Sequence, residues 1–132
     1  MRAVVQRVHR CSVSVAGEEI SRIGTGILIY LGISREDGPA DAEYVAAKCA
    51  HLRIFPDEKG VPNRSVLEVG GEAMAISQFT LYGDTRKGRR PSYNTAAPPE
   101  DARPLYDRFL AALRESGLSA QEGEFRAAMQ IS

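Results

Sequence analysis

Apolar and polar residues alternate from Cys11 to Val15, with Ser12 and Ser14 between Cys11, Val13 and Val15, the period of two that marks a strand with one wet face. Ala16-Gly17-Glu18 supplies turn residues, so a hairpin is expected to begin the fold. After Gly24-Thr25-Gly26 comes Ile27-Leu28-Ile29-Tyr30-Leu31, a continuous apolar run. Its β-branched content and glycine flanks predict a central strand covered on both faces. From Asp41 to Leu52 the apolar positions Ala42, Val45, Ala46, Cys49 and Leu52 fall at helical spacing, and Asp41 is the expected N-cap beyond the breaker Gly38-Pro39. Arg53-Ile54-Phe55 reads as short and extended, because the residue before Pro56 is pushed out of the helical region, and Asp57-Glu58-Lys59-Gly60 reads as a turn. Short strands are expected at Ser65–Val69 and Glu72–Leu81. A second helix is predicted by Ala102, Leu105, Tyr106, Phe109, Leu110 and Leu113, ended by Gly117. Asp101 is its expected N-cap, which places Pro104 among the first helical residues, where a missing N–H matters least.

Early strands, a middle strand and two well-separated helices predict an α+β domain with a largely antiparallel, barrel-like sheet core. The 132 residues fit one domain, residues 1–132, since a core of that size buries roughly two thirds of the surface of the unfolded chain. No internal repeat or linker divides it. Lys plus Arg and Asp plus Glu both total 17, so attraction to a nucleic acid has to come from local clustering. Cys11 and Cys49 have neither C-x-x-C nor zinc-site spacing and read as buried structural thiols, which favours a reducing, cytoplasmic setting. No signal-peptide-like run opens the chain, and no stretch approaches the roughly 18 apolar residues of a membrane span, so a soluble, unprocessed protein is expected.

Candidate chemistry concentrates where Ser77-Gln78-Phe79-Thr80-Leu81 turns at Gly83 into a loop bearing Arg86, Lys87, Arg89 and Arg90. The Thr80 hydroxyl and the backbone amides at a strand end suit the holding of a carbonyl or developing oxyanion. As a nucleophile Thr80 needs a base, and no partner is evident nearby; His9, in the first strand, and His51, near a helix end, are isolated. The plainer alternative puts Gln78 and Thr80 on the wet face of a strand with Phe79 and Leu81 packed behind. The four cations are phosphate contacts or simply a solvated loop; their adjacency to the polar string favours a nucleic-acid end held beside reactive groups. Gly83 and Gly88 superficially resemble a P-loop, but Arg89-Arg90 stands where Lys and Ser/Thr are required. No G-x-S-x-G or H-E-x-x-H occurs, so no metal site and no cofactor are expected.

Together these residues resemble the D-aminoacyl-tRNA deacylase family. The likeness runs in order through Val5-Gln6-Arg7-Val8, Cys11-Ser12-Val13, Arg53-Ile54-Phe55, Ser77-Gln78-Phe79-Thr80-Leu81, Arg90-Pro91-Ser92, Leu105-Tyr106 and Met129-Gln130-Ile131-Ser132. The resemblance implies a homodimeric hydrolase that frees a D-amino acid, or glycine, from the terminal adenosine of tRNA, with aminoacyl-tRNA and not DNA or a membrane as partner. It implies a pocket lined by Ser77, Gln78, Phe79 and Thr80, with Gln78, Phe79 and Thr80 as the catalytic group. Arg7 is implied close by, supporting the pocket against the partner subunit. It also implies a reaction in which the adenosine 2′-hydroxyl helps activate water and no side chain is an obligatory base.

Family members continue past Met-Gln-Ile-Ser into an Asn-x-Gly-Pro-Val-Thr motif whose cis Gly-Pro enters the neighbouring subunit's pocket to exclude L-amino acids. This sequence ends at Ser132, and its one Gly-Pro is Gly38-Pro39 in the loop before the first helix; a chain cut short is the expected explanation. Two other readings stay open, a non-catalytic module that binds tRNA ends and a purely structural dimer.

Overall fold

A computed structural model describes residues 1–132. Four strands form a mixed sheet in the order β1 (Arg2–Val8), β4 (Gly26–Gly32), β7 (Glu72–Ser77) and β8 (Ser119–Glu122). A second sheet joins β3 (Glu18–Ile23), β2 (Cys11–Val15) and β9 (Met129–Ile131), and a small hairpin pairs β5 (Phe55–Pro56) with β6 (Pro62–Arg64). Two helices, α1 (Pro39–His51) and α2 (Pro99–Glu115), complete the α+β domain. Pairing is antiparallel except at β4/β7 and β7/β8. Those two are parallel because each connection carries a helix across the sheet, which returns the chain in its original direction.

The expected hairpin is β2–β3, turned through Ala16 (φ 52°) and Gly17 (φ 81°), but it does not begin the fold, because β1 precedes it and pairs with β4 instead. Two consecutive positive φ values match the right-handed twist of the flanking strands. β4 lies between β1 and β7 and is covered on both faces, as its apolar run predicts. Ile27, Ile29 and Leu31 face the helices, in one core with Ala46, Phe109 and Leu113. Leu28 faces the second sheet, in another core with Cys11, Val13, Ile23, Met74 and Ile76. The domain is thus three layers, with helices, mixed sheet and antiparallel sheet stacked in that order. No helix is long and apolar enough to cross a membrane.

Several expected boundaries move. The N-cap of α1 is Gly38, because Pro39 needs no partner for an N–H it lacks; Asp41 sits one turn in, and its carboxylate accepts from the Gly38 N–H at 2.8 Å. α2 likewise starts at Pro99 with Pro98 as cap, and Asp101 is already helical. Pro104 lies inside this helix, where its missing donor strands only the carbonyl of exposed Glu100. Ser65–Val69 is a turn and not a strand. The Ser65 N–H donates to the Glu68 carboxylate and the Glu68 N–H to the Ser65 hydroxyl, both at 3.1 Å, a reciprocal box that the S-x-x-E spacing encodes. β7 stops at Ser77, so Phe79 to Leu81 leave the strand.

Candidate active site

Helix-facing residues of β7 are Ala73 and Ala75, whose small side chains let α2 approach closely enough for the Tyr106 hydroxyl to donate to the Ala75 carbonyl at 2.7 Å. Beyond Ser77 the Gln78 N–H donates to the Leu31 carbonyl at 2.8 Å, continuing the pairing with β4 by one more bond. The chain then winds into a 3₁₀ turn, Phe79–Tyr82, closed when the Leu81 N–H donates to the Gln78 carbonyl at 3.2 Å and the Gly83 N–H to that of Thr80 at 3.0 Å. Gly32 makes room for the turn; a Cβ there would lie 2.9 Å from Leu81 Cβ and 3.3 Å from the Gln78 carbonyl oxygen.

This turn, not a strand, carries the candidate residues. Its leading N–H groups, those of Phe79 and Thr80, have no partner within it. The Gln78 side-chain amide donates to the Thr80 hydroxyl. Phe79 is not packed behind the strand; it is 56% exposed and meets Tyr93 edge-on, with ring centroids 5.1 Å apart at 74°. Ser77, Gln78, Phe79 and Tyr93 form one wall of a cleft of about 600 Å³, facing Ala97, Ala102 and the Pro98-Pro99 entry to α2. Thr80 lies on the exposed shoulder of the turn, outside that lining. Arg35 and Arg126 line the cleft, and no Asp, Glu or His does.

Arg7 is elsewhere in the chain. It pairs across β1/β4 with Ile27, whereas Ser77 pairs with Leu31. Four residues of strand separate those registers, about 13 Å at ~3.3 Å per residue. Arg7 instead lines a second depression of about 430 Å³ with His9, Arg10, Tyr30 and Ser132, which shares only Ile131 with the cleft.

The basic residues occupy a loop closed by paired backbone bonds between Asp84 and Ser92, at 2.8 and 2.9 Å. Arg86 folds back on the Asp84 carboxylate at 2.7 Å, and its hydrogen bonds hold that carboxyl down to about 2. Lys87, Arg89 and Arg90 are exposed and form no ion pair, and none of the four cations lines the cleft. His9 lies in the bend after β1 and His51 ends α1, both exposed and far from the turn in the topology. Cys11 and Cys49 are buried, unbridged thiols, and burial pushes Cys49 up to about 11. No three His, Cys, Asp or Glu side chains cluster to hold a metal ion.

Sequence reasoning missed Arg35, Tyr93 and Arg126. Tyr93 had a readable signal, an aromatic residue three positions beyond a basic stretch, which is the composition of a nucleic-acid contact. Arg35 and Arg126 had none, since only folding brings the β4–α1 loop and the segment before β9 to the same opening.

The D-Tyr-tRNA(Tyr) deacylase family matches residues 4–132. A D-aminoacyl-tRNA deacylase of Heliobacterium modesticaldum is 55% identical over 131 residues, which are 99% of this chain and 87% of that protein. A solved structure described as the c-Myc DNA Unwinding Element Binding Protein is similar with a TM-score of 0.92 at 44% identity, covering 99% of this chain and 89% of the other. A probable eukaryotic D-amino acid tRNA deacylase shares the fold, with a TM-score of 0.81 at 17% identity over 98% of this chain and 91% of that one.

Proposed function

Because this chain belongs to the D-Tyr-tRNA(Tyr) deacylase family, we propose that it hydrolyses the ester between a D-amino acid and the 3′-terminal adenosine of tRNA, releasing both in a proofreading step of translation. Glycyl-tRNA is a second substrate in this reading. The observation that carries the mechanism is the anchored 3₁₀ turn beside a cleft without a carboxylate or imidazole. A cleft so lined suits a reaction that needs positioning more than proton transfer by a side chain. An aminoacyl ester is already activated toward water.

The free N–H groups of Phe79 and Thr80 take the developing oxyanion, and one such donor is typically worth roughly 3 to 4 kcal/mol. Gln78 holds the Thr80 hydroxyl and thereby the shape of the turn. Ser77 contributes to the pocket wall, and the adenosine 2′-hydroxyl assists the attacking water. Lys87, Arg89 and Arg90, with Arg86 partly neutralised by Asp84, attract the tRNA backbone.

The protein acts as a homodimer in this reading, with Arg7 supporting the pocket from across the subunit boundary. Support comes from its separation from Ser77 within one chain and from its place on β1, an edge strand of the mixed sheet. A reducing cytoplasm suits the two unbridged thiols. Aminoacyl-tRNA, not duplex DNA, is the partner.

The test is release of free amino acid from D-tyrosyl-tRNA and glycyl-tRNA, with duplex DNA as competitor. Turnover that DNA fails to inhibit supports the proposal. Tight, salt-sensitive binding of charged tRNA with no amino acid released would replace it with the non-catalytic module.

A further inference from the structure

An aminoacyl ester carries an ammonium group and no free α-carboxylate, so unless the side chain is itself acidic the negative charges on the proposed substrate are its phosphates. The cleft is lined by two guanidinium groups and no acid. Two cations and no acid suit the phosphates of a nucleic-acid end better than the ammonium group of the amino acid.

Of the two, Arg35 is the one held in place. Its Nε donates to the Asn94 carbonyl at 2.8 Å, while its backbone N–H donates to the Thr95 carbonyl at 3.0 Å. The Ala97 N–H returns a bond to the Ile33 carbonyl at 2.9 Å, with a bridge between Ser34 and Ala96 in the middle. The segment leaving β4 is thus zipped to the segment that carries Tyr93. Most other anchored arginines meet carboxylates: Arg22 has Glu19, Arg64 has Glu58, Arg86 has Asp84, Arg103 has Asp107 and Arg108 has Glu43 and Glu115. Arg35 meets a neutral carbonyl through Nε alone, so its charge is uncompensated and its η nitrogens make no bond within the chain. Arg126, by contrast, sits on a turn at φ 69° and donates no side-chain hydrogen bond.

The geometry points to Arg35 as the residue that binds the phosphate 5′ of the terminal adenosine, the phosphate nearest the ester. This rests on the deacylase reading above and names what that site recognises beyond the ester. Tyr93, next to Asn94 and in a T-shaped contact with Phe79, adds an aromatic ring to the same opening, the kind of group on which bases stack in single-stranded RNA sites. Fixing the guanidinium through Asn94 sets phosphate and ring at one spacing, so Arg35 discriminates a nucleotide from a nucleoside ester.

Three substrates test this with the whole protein: D-tyrosyl-tRNA, the 3′-D-tyrosyl ester of adenosine 5′-monophosphate, and the same ester of adenosine, which lacks phosphate. The unmutated enzyme is expected to prefer the nucleotide to the nucleoside ester at low salt. Arg35→Ala should raise KM for the nucleotide and for tRNA on the order of 10- to 100-fold, as loss of a charge-assisted bond would, with kcat little changed. It should leave the nucleoside ester as before and lower the salt slope on tRNA by about 0.7, the value for one contact to a single strand. Arg35→Lys should restore part of the affinity but not the full discrimination.

If Arg35→Ala slowed all three esters alike, Arg35 would be a prop for Tyr93 and the phosphate assignment would be overturned. It would be overturned equally if none of the three changed. Inactivity of the unmutated enzyme on every substrate would instead remove the deacylase reading, and this assignment with it.

Discussion

The Tyr106 hydroxyl donates to the Ala75 carbonyl at 2.7 Å, tying α2 to β7 two residues before the Ser77–Thr80 segment begins. Burial pushes the phenol up from its ordinary value. A raised acid pKa in the folded state means that the stabilisation is whole below about pH 10 and is lost only as pH rises further. Tyr106→Phe is expected to lower stability by about 1 to 3 kcal/mol, the penalty of removing a donor from a buried acceptor. Urea unfolding at neutral pH measures it, and the difference from the unmutated protein should shrink above pH 10.

The Gln78–Thr80 side-chain bond sets the second expectation. Thr80→Ala should reduce kcat/KM roughly tenfold, the effect of losing about 1.4 kcal/mol of positioning, without abolishing turnover. Mass spectrometry of enzyme quenched during turnover should find no aminoacyl adduct. An ester on Thr80 would mean that the hydroxyl is the nucleophile.

Gly32 lies where the 3₁₀ turn leans on β4. Gly32→Ala places a Cβ 2.9 Å from that of Leu81, so either the turn or the strand must shift. Overpacking of this kind costs about 1 to 3 kcal/mol. Because the crowded atoms of Leu81, Tyr82 and Gln78 all belong to the turn or its entry, activity should fall further than Thr80→Ala makes it fall. Gly38→Ala, with nothing within 4 Å of the new Cβ, is the control: at the N-cap of α1 it should cost no more than about 1 kcal/mol of stability and leave activity unchanged.

Asp84 and Arg86 make a prediction in pH. With its carboxyl held at about 2, the pair is whole at any pH above the ordinary carboxylate range and loosens only as pH falls through that value. Loop closure should therefore not vary between about pH 5 and 8. Carboxyl NMR titration should place Asp84 near 2, and Arg86→Ala should return it toward ~3.9.

Lys87, Arg89 and Arg90 are exposed and unpaired, so replacing all three with Ala should leave the unfolding free energy within about 0.5 kcal/mol of its starting value. The same variant should weaken tRNA binding and lower its salt slope by about 2, three contacts at ~0.7 each. An unchanged slope would leave the loop with no part in RNA contact.

What the sequence determined by itself was whatever depends on neighbours in the chain. The alternation at Cys11–Val15, the apolar run of β4 and the helical spacing of α1 and α2 each express a local period, and the structure keeps all four. Family membership was legible for the same reason, since ordered motifs survive without coordinates. Boundaries were less so: Asp41 and Asp101 look like caps, but prolines just upstream start both helices earlier. The conformation of Ser77 to Leu81 was decided by tertiary structure. Its residues suit a strand, and it bends into a 3₁₀ turn because Gly32 admits it beside β4 and the Leu31 carbonyl takes the last ladder bond. That bend, invisible to any period, turns Phe79 outward, frees two amides and separates Thr80 from the cleft wall. The gathering of Arg35, Tyr93 and Arg126 at one opening is likewise a property of how distant segments pack, and no local pattern records it.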